Sequence, residues 1–133
     1  MLRRFVSGSA IASIAIALAV LVLLLMPGVA LQRVYPLPIM WSFAPVVWGL
    51  WAMCAPARWV PQRFPLWGAM LGLIAGLLAT FVLNLPTRIL GETVTITLRV
   101  VPVVAIVVFY YFLWMLVRVA YRSLGAPAAG ASR

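Results

Sequence analysis

The sequence has no histidine, no aspartate and no lysine, a single glutamate (Glu92) and a single cysteine (Cys54). Each shortage removes a chemistry. Zinc, haem-iron and iron–sulfur sites are built from His and Cys ligands, and this chain cannot supply an ordinary set. A Ser–His–Asp triad, a Cys–His dyad and a paired-carboxylate hydrolase each lack at least one member. A lone thiol forms no internal disulfide, so Cys54 reads as a small apolar residue. The expectation is therefore a protein that is not an enzyme, with no catalytic residues, no cofactor and no metal site.

What fills the 133 residues is hydrocarbon. Hydrophobic residues make up 67% and charged residues 8%, where soluble domains carry about 25% charged. A helix crossing the roughly 30 Å core of a bilayer needs about 20 apolar residues. Four stretches qualify: residues 5–26, 36–55, 64–85 and 100–121. Pro, Gly or Arg stands at each break between them. Short connections make neighbouring spans antiparallel. The fold class read from this pattern is an all-α integral membrane protein, a four-transmembrane-helix antiparallel bundle with short loops. It occupies residues 1–122, and residues 123–133 read as a flexible cytoplasmic tail. The first stretch also has a secretory-signal reading, with Arg3 and Arg4 ahead of it and Gly28-Val29-Ala30 behind. Its apolar run is longer than the 7–15 residues or so of a signal core, which favours a retained anchor.

Charge sets the expected orientation. Arg3, Arg4, Arg58, Arg63, Arg118, Arg122 and Arg133 fall on one side, and Arg33, Arg88 and Arg99, with Glu92, on the other. The richer side is the cytoplasmic one under the positive-inside rule, so both termini are expected in the cytoplasm. Trp59 and Trp67 flank the second loop, and Phe109, Tyr110, Tyr111, Phe112 and Trp114 crowd the same end of the last span. Such rings settle where hydrocarbon meets headgroup. A net charge of +9 spread singly or in pairs over span ends fits attraction to anionic lipid, not nucleic-acid binding. Arginine without lysine and an abundance of alanine suggest GC-rich coding, hence the cytoplasmic (inner) membrane of a bacterium.

Small residues recur at helical spacing. Gly68, Gly72 and Gly76 share one face of the third span, where a neighbouring backbone can approach closely. Ser9, Ser13 and Ala17 form a related series in the first, with Gly8 and Ala12 beside it. These two faces predict a first-to-third contact or a self-association seam. Pro45 predicts a fixed bend in the second span. Trp41, Trp48 and Trp51 lie along one side of that helix and read as packing against lipid or a partner subunit.

The most polar stretch holds Asn84, Arg88, Glu92 and Arg99, the one candidate polar site. Pro86 is expected to end the third span at Leu85. Thr93, Thr95 and Thr97 alternate with apolar residues, which predicts a short surface strand, or else a fourth helix starting near Glu92. Glu92 is expected at the interface, loosely paired with Arg88 or Arg99. Taken together, these residues predict an accessory, assembly or scaffold subunit. Its partners are the lipid bilayer and another membrane protein or itself. The alternative is a small homo-oligomeric transporter or channel, for which a hydrophobic substrate suits the nearly apolar spans.

Overall fold

The computed structural model describes residues 1–25, 36–90 and 95–125. Glu92, Arg33 and the tail from residue 126 lie outside them. Among these residues five α-helices follow one another: α1 (Leu2–Leu25), α2 (Pro36–Cys54), α3 (Phe64–Leu77), α4 (Leu85–Leu90) and α5 (Ile96–Ser123). No strand occurs among the described residues. Among the described residues, three segments are long and apolar enough to cross a membrane: Leu2–Leu25, Phe64–Val82 and Arg99–Ser123. The apolar stretch Trp41–Cys54 of α2 is shorter. At 1.5 Å per residue, the 28 residues of α5 extend about 42 Å.

One boundary differs from the sequence reading. The third span does not continue to Leu85. Beyond Leu77 it widens into a π turn, Leu78–Val82, in which the Leu83 amide reaches back five residues to the Leu78 carbonyl at 2.9 Å. Asn84 then adopts a left-handed backbone (φ 50°) and ends it. Pro86 opens a new helix where an N–H has no intrahelical partner to lose. Of the two readings of 93–98, the helix is the one found: residues from Ile96 onward are helical, Thr95 before them is extended at φ −61° and ψ 155°, and residues 93 and 94 lie outside the described ones. Three alternating threonines count for less than the long apolar run that follows them. That run carries the helix through Pro102, which leaves the Leu98 carbonyl without its usual donor.

Packing is organised in antiparallel pairs. α3 lies along α5, α1 lies along α2, and α1 also touches α5 and so joins the pairs. Small residues make both close approaches. A Cβ on Gly68 would overlap the ring of Trp114; on Gly72 it would come within 2.7 Å of Tyr110, and on Gly76 within 3.3 Å of Val103. In the other pair, a Cβ on Gly8 would stand 2.7 Å from the Trp48 carbonyl, and one on Gly49 2.6 Å from the Phe5 ring.

The two small-residue faces therefore do not meet each other. The glycine series rests on α5, while Gly8 and Ser9 rest on α2. Of the serine series, Ser13 and Ala17 are exposed. The covered side of α1 runs through Gly8, Ala12, Ala15 and Ala19.

The core gathers at one end of the molecule, where Ala12, Trp48, Ala52, Ala55, Phe64, Leu71, Trp114 and Val117 are buried together. Outward faces are apolar throughout: Ile14, Leu18 and Leu21 on α1, Phe43 and Leu50 on α2, Leu73 on α3, and Val101, Phe109, Phe112 and Leu116 on α5 are all exposed.

Substituting Gly68 by Ala is expected to cost about 1–3 kcal/mol, the usual range for overpacking. Gly76→Ala, with a less crowded Cβ position, should cost less. Unfolding in detergent followed by tryptophan fluorescence measures both, and equal losses at the two sites would contradict the graded approach of α3 to α5.

Candidate functional site

The densest chemistry lies at the end where the start of α1, the end of α2, the start of α3 and the end of α5 converge. Helices that stop leave their last carbonyls without backbone donors. Here the N-terminal arginines supply them. Ala120 and Arg122 accept from the amides of Leu124 and Gly125. The Tyr121 carbonyl between them accepts from Arg3 Nε at 2.6 Å, and Arg3 Nη2 donates to the same oxygen. The Arg3 guanidinium also stands 4.0 Å from the centre of the Tyr121 ring. Its neighbour Arg4 donates from Nη1 to the Ala55 carbonyl, 3.0 Å away and just past the end of α2. Each guanidinium thus sits at a helix C-terminus, where a positive charge is favoured by the helix dipole.

Between these caps the aromatic rings form two connected groups. In the first, Trp48 of α2 lies 5.0 Å from Tyr110 and 5.7 Å from Trp114. Phe64, the first residue of α3, meets Trp114 and Tyr121 edge-on at 5.9 and 5.5 Å. In the second, Trp51 stacks on Trp67 at 4.8 Å, and Trp59 meets Trp67 edge-on at 5.9 Å. Trp51 and Trp67 also exchange hydrogen bonds. Trp51 Nε1 donates to the Trp67 carbonyl at 2.9 Å, and Trp67 Nε1 to the Trp51 carbonyl at 2.7 Å. This reciprocal clasp ties α2 to α3 and gives both indole N–H groups a partner.

Not every donor at this end is used. Trp114 Nε1 and, one turn on, Arg118 Nε are buried with no hydrogen-bond partner among the described residues. Arg58, Arg63 and Arg122 are exposed, with Arg63 5.9 Å from the Trp59 ring centre.

The sequence-predicted polar site is spread along the opposite end. Asn84 caps α4: its carbonyl accepts from the Arg88 amide at 3.1 Å, and its Oδ1 accepts from the Thr87 hydroxyl at 3.0 Å. Arg88 is exposed, and Arg99 is half-buried in the first turn of α5. Glu92, the carboxylate around which that site was conceived, lies outside the described residues. Ser9 donates to the Pro45 carbonyl at 2.8 Å, linking α1 to α2. Ser13 bonds back to its own helix at the Ser9 carbonyl, 2.9 Å away.

Sequence reasoning missed the capping arginines, which it treated as topology charges alone, and the tryptophan clasp. It also placed all of the 109–114 aromatics at the headgroups. In fact Tyr110 and Trp114 turn inward, while Phe109, Tyr111 and Phe112 face out. The signal available was the spacing of four between Tyr110 and Trp114, which matches that of Gly72 and Gly68 on the helix that receives them.

Chemically, this end holds cations and rings but no carboxylate among the described residues. It is suited to binding helix ends, apolar surface and anions. No family model, curated protein or solved structure matches the chain.

Replacing Trp67 by Phe keeps the ring but removes one donor of the clasp. A cost of about 0.5–1.5 kcal/mol is expected, with coupling to Trp51→Phe in a double-mutant cycle. Strict additivity of the two changes would show that the reciprocal bonds do not act together. Arg3→Ala should raise amide exchange in the last turn of α5 roughly two- to fivefold, the effect of a lost terminal charge. Hydrogen-exchange mass spectrometry reads this, and an unchanged last turn would refute the cap.

Proposed function

We propose that this chain is a four-helix protein of the bacterial inner membrane, with both termini cytoplasmic. Its role is that of a non-catalytic accessory, assembly or scaffold subunit of a larger membrane complex. The observation that carries this reading is the inverted distribution of side chains. Glycine, alanine and hydrogen-bonded tryptophan lie inside, and large apolar residues cover the outside of every long helix. In water such a surface would drive aggregation; in lipid it is the ordinary exterior of a bundle held by small residues.

The location of the charges supports the topology. Arg3, Arg4, Arg58, Arg63, Arg118 and Arg122 share the end where Arg3 meets α5 and Arg4 meets the end of α2. One membrane face can thus hold them all, as the positive-inside rule requires. The polar groups Ser9, Trp51 and Trp67 are engaged in joining helices, which is the work of a structural subunit. A second reading draws on the cavity of about 130 Å³ between α1, α2 and α5, lined by Ala12, Ala15, Ala19, Trp41, Trp48 and Phe109 among others. Its apolar walls suit a small homo-oligomeric transporter or channel handling a hydrophobic substrate.

Extraction from the native membrane in mild detergent, followed by intact-complex mass spectrometry, separates the two. A stoichiometric second protein is the expected result. A pure homo-oligomer would overturn the accessory role and favour transport, to be pursued by flux into liposomes.

A further inference from the structure

The outer face of α5 carries an apolar groove of about 440 Å³, walled by Phe109, Phe112, Leu113, Leu116 and Val119, with Arg118 lining it as well. From Phe109 to Val119 the helix rises about 15 Å, half of the roughly 30 Å hydrocarbon thickness. The groove therefore has the length of one leaflet, with a guanidinium at the headgroup level. We infer that this groove is a binding site for an anionic phospholipid. One acyl chain lies along the rings and leucines, and the headgroup phosphate accepts from Arg118. The inference rests on the membrane reading given above.

Charge complementarity selects the occupant. The sequence contains one side-chain carboxylate against ten arginines, so most of its guanidinium groups must find their anions outside the chain. Arg3 and Arg4 are engaged with carbonyls of neighbouring helices. Arg118 differs from them: its Nε is buried without a hydrogen-bond partner among the described residues, and its side chain lines the groove. A donor that has lost water and gained no acceptor favours an anion more strongly than an exposed arginine does. A phosphate joined to hydrocarbon meets both the donor and the wall beside it. A free phosphate meets only the donor.

The test uses the full chain reconstituted in vesicles of phosphatidylglycerol and phosphatidylcholine at one fixed ratio. Bromine is placed on the acyl chains of either one lipid or the other, and tryptophan quenching is read. Brominated phosphatidylglycerol is expected to be enriched at the protein about fivefold, the factor expected of one arginine beside an anionic surface. Arg118→Gln should abolish the preference, Arg118→Lys should restore much of it, and Arg58→Gln should leave it intact. Circular dichroism would establish that each variant keeps its helices.

Equal quenching by the two lipids overturns the site while leaving the membrane reading standing. So does an equal loss of preference in Arg58→Gln, which would assign the attraction to diffuse charge. Absence of quenching by either lipid overturns the membrane reading itself. A saturable fluorescence response to inorganic phosphate in detergent, lost in Arg118→Gln, would assign the site to a free anion and overturn the lipid proposal.

Discussion

The contact on which the rest of this structure depends is the seating of Trp114 against Gly68. No side chain stands between the α3 backbone and the indole, so the two helices approach as closely as a ring permits. The positions of the aromatic group around it follow from this contact. With Trp114 fixed, Trp48 can lean on it from α2 and Phe64 can close over its edge. The alternative, a bulky residue at position 68, would push α5 away and open the shared core. In a lipid environment this matters more than in water, because hydrocarbon gives helices little reason to associate beyond close contact and hydrogen bonding.

The second organising feature is how a chain so rich in arginine and so poor in carboxylate satisfies its cations. Backbone carbonyls at helix ends are the acceptors it has in quantity, and aromatic faces are the next best partner. Arg3 uses both at Tyr121. The charged end is accordingly the end where helix termini are tied to one another. The guanidinium groups that sequence logic assigns to topology are at the same time the pieces that complete α2 and α5. Arginines that the sequence reading assigned to topology thus contribute to the fold.

Much of the architecture is visible in composition and spacing. Long apolar runs predict helices at the places where α1, α2, α3 and α5 occur, because length and hydropathy are local properties. The glycines at 68, 72 and 76 are visible as a face for the same reason. What they pack against is not, since any neighbouring helix offers a surface and only three-dimensional pairing chooses α5. The π turn after Leu77 was invisible because one extra residue per turn leaves no compositional mark. Pro86 suggested a helix stop but not the restart that Asn84 allows by taking a left-handed backbone. The serine series misled because helical spacing marks a face without saying which face is covered: Gly8 and Ala12, one position back, are buried, and Ser13 and Ala17 are left in the open. The capping arginines were hidden for a simpler reason: Arg3 and Tyr121 are 118 positions apart.

That separation has a consequence for how the molecule is made. A polypeptide emerges from its N-terminus, so Arg3 is synthesised 118 residues ahead of the carbonyl it caps. The α1–α2 pair, by contrast, needs only neighbouring segments and has its glycines and Ser9 ready early. Contact of α1 with α5 through this pair therefore has to wait until α5 has been made, whereas the contact of α1 with α2 does not.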